Sequence, residues 1–229
     1  MDADEPVNSE KQATRPVLVW DVPTRLFHWL VVVLVAAAYA SAKLNWMDWH
    51  VRIGEALLAL VLFRLLWGIF GSETARFHGF LRAPAAAWRH LRHVFQREAD
   101  LQVGHNPAGG WMVLLLLALL LGEALSGLYV NNDVADDGPL TQWVPAWAAN
   151  AITALHTILW DALLAAVALH LLAIALYAIA KGHNLLRPML TGRKLLPARI
   201  NPPRPASAML ALLLLIVSAV ATTLLAMYL

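Results

Sequence analysis

Five stretches of this chain are apolar over the length needed to cross a lipid bilayer, and that leaves few folds open. They cover residues 22–42, 50–70, 111–130, 151–180 and 206–229. A hydrocarbon layer of about 30 Å takes around 20 helical residues. Inside it every backbone N–H and C=O must find a partner within the protein, which a helix provides from its own segment. The expected fold is therefore an all-α integral membrane protein, a four-helix transmembrane bundle plus a fifth, C-terminal transmembrane helix. With 60% hydrophobic and 14% charged residues in 229 positions, the composition agrees. The fourth stretch exceeds one bilayer, so it is expected to tilt or to emerge as ordinary helix.

The connections set the expected orientation. Lys11, Arg15 and Arg25 flank the first span; Arg76, Arg82, Arg89, Arg92 and Arg97 occupy the second connection; Lys181, Arg187, Arg193, Lys194, Arg199 and Arg204 occupy the fourth. The first connection has Lys43, with Arg52 just inside the next span, and the third has Asp133, Asp136 and Asp137 with no Lys or Arg. The positive-inside rule puts the N-terminus in the cytoplasm and the C-terminus in the periplasm. Residues 1–16 are polar and partly acidic, without a basic n-region or small-residue cleavage site. They read as a disordered cytoplasmic tail preceding a retained first helix. Residues 17–195 form the four-helix domain, and 196–229 a linker and the additional helix. The formal net charge of +2 sits almost wholly in loops, where it bears on orientation and anionic lipid, and nothing resembles a nucleic-acid patch.

The fourth span carries His156 and His170, fourteen residues apart. At 100° per residue both imidazoles leave nearly the same helix face, roughly 21 Å apart along the axis. Ionisable groups at membrane depth are costly and face a partner, a cavity or a cofactor. With the orientation above, His28 lies near the cytoplasmic end of the first helix and His50 at the outer end of the second. Depth then pairs His50 with His156 as an outer site and His28 with His170 as an inner one. Facing neutral imidazoles across a helical bundle suit a six-coordinate b-type haem, a centre that passes electrons. Two such haems along the membrane normal form a transmembrane electron path. The chain has no cysteine, so disulfides, iron–sulfur clusters and covalently attached haem are excluded. Zinc or copper could use the same imidazoles, although neither pair has a carboxylate or thiolate at matching depth. Singly, His28 and His50 also read as interfacial residues.

Four segments add a resemblance: Val19-Trp20-Asp21-Val22-Pro23-Thr24-Arg25-Leu26-Phe27-His28-Trp29, Arg64-Leu65-Leu66-Trp67-Gly68-Ile69-Phe70-Gly71, Gly104-His105-Asn106-Pro107-Ala108-Gly109-Gly110, and Leu186-Arg187-Pro188-Met189-Leu190-Thr191-Gly192-Arg193-Lys194. Over roughly residues 17–194 the chain resembles the bacterial cytochrome b561 family, and within it the b-type cytochrome subunits of membrane nickel–iron hydrogenases. The resemblance implies a bacterial inner-membrane dihaem cytochrome of the respiratory chain. It places the haem ligands at His28, His50, His156 and His170, in agreement with depth. The fifth helix lies outside that pattern.

The function expected is electron transfer between a periplasmic redox partner, such as a cytochrome, and the quinone pool. Two other readings stay open: a superoxide oxidase that reduces quinone, with Lys43 and Arg52 attracting the anion, and a membrane anchor subunit of a hydrogenase. Arg64, fourteen residues after His50, could neutralise a propionate of the inner haem or snorkel to water. Arg25 could serve the inner haem and Arg52 the outer one. Glu55 and Glu123 are acids within spans, suited to a proton route or to a structural pair. Gly54, Gly122 and Gly127 read as packing positions. His78, His90, His93 and His105 fall in the connection 71–110, which reads as an amphipathic segment on anionic lipid or, more sharply, as a quinone headgroup site. Trp46, Trp49, Trp143, Trp147 and Trp160 read as an outer aromatic belt, and His183 as an interfacial cap. The Asp-bearing connection 131–138 could meet a basic periplasmic cytochrome. The last helix, with Ser218, Thr222 and Thr223, could contact a second copy, another subunit or the chain's own bundle.

Overall fold

The computed structural model describes residues 13–93, 96, 100–131 and 137–228. In chain order the elements are strand β1 (Thr14–Leu18), helices α1 (Val22–Lys43), α2 (Met47–Phe70), α3 (Phe77–Phe80), α4 (Pro84–Arg92), α5 (Pro107–Gly127), α6 (Ala146–Leu176) and α7 (Leu186–Thr191), strand β2 (Arg193–Pro197) and helix α8 (Ala208–Tyr228). The protein is thus a helical membrane protein in which α1, α2, α5, α6 and α8 are the five spans, each long and apolar enough to cross a bilayer. Lys11, Arg97, Asp133 and Asp136, counted in the charge balance, lie outside the described residues, as do residues 1–12.

Local sequence explains where the spans begin. Asp21 caps α1, its Oδ1 accepting from the Thr24 backbone N–H at 2.8 Å, with Pro23 in the first turn. Asn106 caps α5 in the same way, accepting from Gly109 N–H at 2.7 Å ahead of Pro107. The far end of α6 departs from the expected ordinary helix. Residues Tyr177–Lys181 form a π-helical turn, closed by Gly182 at φ 72°.

α1 packs on α2, α2 on α5, and α5 on α6, which gives the four-helix bundle. Val61, Leu120 and Leu163 meet at its centre, flanked by Val31, Val35 and Val167. In lipid these contacts stabilise through close packing, since the tails outside are as apolar as the core. That is why Leu171, Leu172 and Ile179 are exposed within the chain without being misplaced. α8 lies on the outer flank of α2. Its buried Leu214 joins Phe63 and Trp67, its Ser218 and Thr222 are also buried, and Ser218 Oγ donates to the Leu214 carbonyl at 2.8 Å. At least this face of the last helix therefore completes the chain's own fold.

Residues 14–16, read from sequence as the end of a disordered tail, are ordered. Strand β1 pairs antiparallel with β2, Thr14 opposite Pro197 and Leu18 opposite Arg193. The pairing buries Val17 and Leu196 with Val19 and Trp20. The Gly192 carbonyl extends the clasp by accepting from Val19 N–H at 2.8 Å and Trp20 N–H at 3.1 Å. Gly192 has φ 79°, and a Cβ there would stand 2.8 Å from the Trp20 carbonyl oxygen, so the turn requires glycine. The clasp ties the entry of α1 to the segment that follows α6.

Candidate functional site

α1 begins, α2 ends, α5 begins and α6 ends at one end of the bundle, the basic end. The four histidines singled out above divide between this end and the opposite one. At the opposite end His50, in the first turn of α2, faces His156 of α6 with ring centroids 6.4 Å apart and planes crossed at 88°. The hydrogen bonds of these rings fix their chemistry. His50 Nδ1 is 2.9 Å from the Ala38 carbonyl oxygen. A carbonyl only accepts, so Nδ1 carries the proton and Nε2 keeps its lone pair. His156 Nδ1 is 2.9 Å from Ser126 Oγ. In their neutral forms the two imidazoles would present Nε2 lone pairs to a single acceptor.

Separation tests what fits between them. Two metal–nitrogen bonds of about 2 Å, plus about 1.1 Å from each ring centre to its nitrogen, come to roughly 6 Å, which matches one metal ion between the rings. Space for a macrocycle is a second requirement. A Cβ on Gly54, one turn after His50, would meet no atom within 4 Å, so open volume adjoins the pair. Gly122 and Gly127 behave as packing positions, with added Cβ atoms 3.2 Å from Leu159 and 3.3 Å from the His156 ring. Against the expectation from depth, the His50–His156 pair does have a carboxylate beside it: Glu123 Oε1 stands 3.4 Å from His156 Nε2, and its Oε2 is sealed without a hydrogen-bond partner. Among the described residues no cluster of three or more His, Cys, Asp or Glu side chains is arranged to hold a bare metal ion. Two imidazoles at this separation would suit haem iron, whose remaining ligands would come from the macrocycle.

Towards the basic end, His28 lies edge-on to Trp29 at 4.9 Å, and its Nδ1 is buried with no hydrogen-bond partner. His170 of α6 lies within electrostatic reach of this ring. An orphaned buried nitrogen beside a second imidazole again suits a ligand role.

The three arginines of interest each have a partner within the chain. Arg64 is buried, not snorkelling, with Nη1 donating to the Ala75 carbonyl at 3.2 Å and the guanidinium over the Phe77 ring. Its other N–H groups remain as donors. Arg25 donates to the Leu190 carbonyl at 2.6 Å, and Arg52 lies over the Trp49 ring at 5.7 Å.

The loop histidines separate. His105 is wedged between Trp20 and Phe80, at 4.5 and 4.7 Å, and its Nδ1 is sealed and unpartnered. Burial, with Arg64 and His170 nearby, holds this imidazole neutral and pushes its pKa down to about 3. His90 Nε2 is 2.6 Å from the Tyr177 hydroxyl, which docks α4 on the π-helical turn of α6. Trp88 and Leu91 on α4 are exposed, as a surface-lying segment requires. His183 stands 3.9 Å from Asp100, whose carboxylate also pairs with Lys194. Trp46, Trp49, Trp143 and Trp147 are exposed, whereas Trp160 stacks on Tyr39 between α6 and α1.

Two residues that touch these elements escape a sequence reading. Asp21 accepts from Thr24, from the Trp67 indole N–H at 3.1 Å and from the Ser72 hydroxyl, joining the start of α1 to the end of α2. Its place one residue before Val22-Pro23 is the one local signal, and it announces only the cap. Ser126 has no local signal at all.

Comparison with known proteins gives the chain a family. The family model described as prokaryotic cytochrome b561 matches residues 19–192. A relative from Bradyrhizobium diazoefficiens (strain JCM 10833 / BCRC 13528 / IAM 13628 / NBRC 14792 / USDA 110), described as "Probable Ni/Fe-hydrogenase B-type cytochrome subunit", is 24% identical over 225 residues, covering 82% of this chain and 90% of the relative. No solved structure matches.

Proposed function

The chain belongs to the prokaryotic cytochrome b561 family, membrane b-type cytochromes of electron transfer, and from that premise we propose that it carries electrons across the bacterial inner membrane through two haem b groups. His50 and His156 hold one, and His28 and His170 hold the other. The observation that carries this reading is the His50–His156 pair, 6.4 Å apart, with His50 Nδ1 occupied by the Ala38 carbonyl and His156 Nδ1 by Ser126 Oγ. Bound haem would supply a one-electron centre at each pair, and two imidazole ligands from the chain would keep its iron low-spin.

The chain's own residues do the rest. α2 and α6 hold the first pair, and α1 and α6 the second, so α6 carries one ligand of each at depths set by its fourteen-residue spacing. Trp160 and Tyr39, stacked at 5.4 Å, fill part of the space between. Arg64 has donors left for a propionate of the second group, beside His105. The arginine-rich connections put the basic end in the cytoplasm, the N-terminus with it and the C-terminus in the periplasm. Electrons then pass between a periplasmic redox partner and quinone.

The test is reduced-minus-oxidised absorption with a haem-to-protein ratio on the purified chain, on His156→Ala and on His170→Ala. Two low-spin b haems falling to about one in each variant are expected. An unchanged ratio in His156→Ala would overturn the ligand assignment. The Bradyrhizobium relative supports a more specific version, in which this cytochrome is the membrane subunit of a hydrogenase. Copurification of a large iron–sulfur protein bears on that version alone.

A further inference from the structure

The ligand assignment above leaves open what holds the His156 ring, and the two nitrogens of that ring answer it. Ser126 is buried on α5, 7% exposed. Its Oγ donates to the Glu123 carbonyl at 3.0 Å, which uses the only proton of the hydroxyl. Towards His156 Nδ1, 2.9 Å away, the oxygen can therefore only accept. The imidazole must carry its proton on Nδ1 and present Nε2 bare. Glu123 Oε1 near Nε2 would favour the opposite tautomer, but at 3.4 Å it lies beyond ordinary N–H···O length. Gly127 leaves the ring its room, because a Cβ there would stand 3.3 Å from His156 Cε1, closer than an ordinary contact. The Ser126 contact thus fixes the tautomer and helps hold the rotation of the ring. His50 is fixed independently by the Ala38 carbonyl. The two constraints together cross the rings at 88°.

We propose that Ser126 is the positioning residue of the His50/His156 centre: it selects the His156 tautomer that leaves Nε2 for iron and holds that ring crosswise to His50. This rests on the ligand assignment made above. Hydrogen-bond partners of metal-bound histidines commonly fix ring orientation and raise ligand basicity. Crossing has an electronic consequence. Perpendicular imidazole planes leave two iron d orbitals nearly equal in energy, which gives a ferric low-spin signal dominated by one low-field feature. Rings free to turn towards parallel separate those orbitals and produce an ordinary rhombic, three-feature spectrum.

The test is electron paramagnetic resonance and redox titration of the oxidised, haem-loaded full chain, as wild type, Ser126→Ala, Ser126→Thr and His156→Ala. The wild type should show a strongly anisotropic low-field signal that disappears in His156→Ala. Ser126→Ala should move that signal towards rhombic and raise the midpoint potential of the same centre, since the ligand loses basicity. Ser126→Thr, which keeps the hydroxyl, should restore both. An unchanged signal and potential in Ser126→Ala would overturn the inference. Haem loss in Ser126→Ala that Ser126→Thr does not repair would also overturn it, since the role would then be packing. Retention of every haem by His156→Ala would instead defeat the ligand assignment, so the two failures are told apart.

Discussion

Replacing Asp21 by alanine tests how the entry of α1 is held, and the structure supplies the magnitude. The carboxylate accepts three hydrogen bonds, from Thr24 N–H, the Trp67 indole and the Ser72 hydroxyl. Losing an N-cap costs about 1 kcal/mol. Trp67 is fully buried and Ser72 nearly so, so neither orphaned donor can turn to water. Each such donor costs about 1–3 kcal/mol. The contributions share one carboxylate and will not add fully, which leaves roughly 3–5 kcal/mol. At about 2–4 °C per kcal/mol for a chain of this size, Tm should fall by roughly 6–20 °C. Thermal melts of the haem-loaded protein in detergent read it. Asp21→Asn makes the sharper comparison. Asparagine caps helices as well as aspartate does, but its amide nitrogen would turn a donor towards either Thr24 or the Trp67–Ser72 pair. It should therefore melt close to Asp21→Ala. Wild-type stability in Asp21→Asn would refute the three-bond account and reduce Asp21 to a plain cap.

His105 makes stability depend on acid. Its folded pKa of about 3 lies below the ordinary 6.5, so between those values the unfolded chain binds the extra proton. The stabilisation is complete above pH 6.5 and is lost as pH falls towards 3, by about 1.4 kcal/mol per pH unit. His105→Gln should flatten that part of a melting-temperature profile, and superimposable profiles would refute the account. Gly54→Leu tests the open space beside His50. The fold should tolerate the side chain, while the haem-to-protein ratio falls by one, as read from the pyridine haemochrome; a full complement of haem would show that this space holds no macrocycle.

Much of the architecture is legible in the sequence because lipid imposes a length and a polarity on every span. Run length alone locates α1, α2, α5, α6 and α8 to within a few residues. The pairing of His50 with His156 follows from depth, which needs only helix rise and a charge count. What escapes is whatever depends on contact across the fold. Ser126 meets His156 thirty residues away on another helix, and Asp21 meets Trp67 at a separation of 46. No period encodes either, although Asp21 and Trp67 both fall in segments that carry the family resemblance. Strand β1 escapes for a different reason: five residues containing Pro16 carry too little alternation to stand out, and the strand exists only because β2 pairs with it. Arg25 and Arg52 show the limit of inference from proximity. Both lie near a histidine in sequence, yet one turns to a backbone carbonyl and the other to an indole ring.

The distribution of packing gives the ligand assignment a structural sense. Of the five spans, α2 is the most enclosed by the rest of the chain and α1 the least, with α6 also largely uncovered. Yet α1 and α6 supply three of the four histidines. α1 packs along α2 and α6 along α5, whereas α6 makes few contacts with α1 or α2. Their ends are held by specific contacts: α1 by Asp21 and the β1–β2 clasp, α6 by His90 on Tyr177 and Ser126 on His156. In the proposed arrangement one macrocycle would sit between α2 and α6 and another between α1 and α6, supplying contacts where the chain itself makes few. A ligand that binds only the folded state stabilises it by mass action. The histidines proposed as haem ligands would then also complete the bundle, and an empty site would loosen α1 and α6 before it disturbed α2.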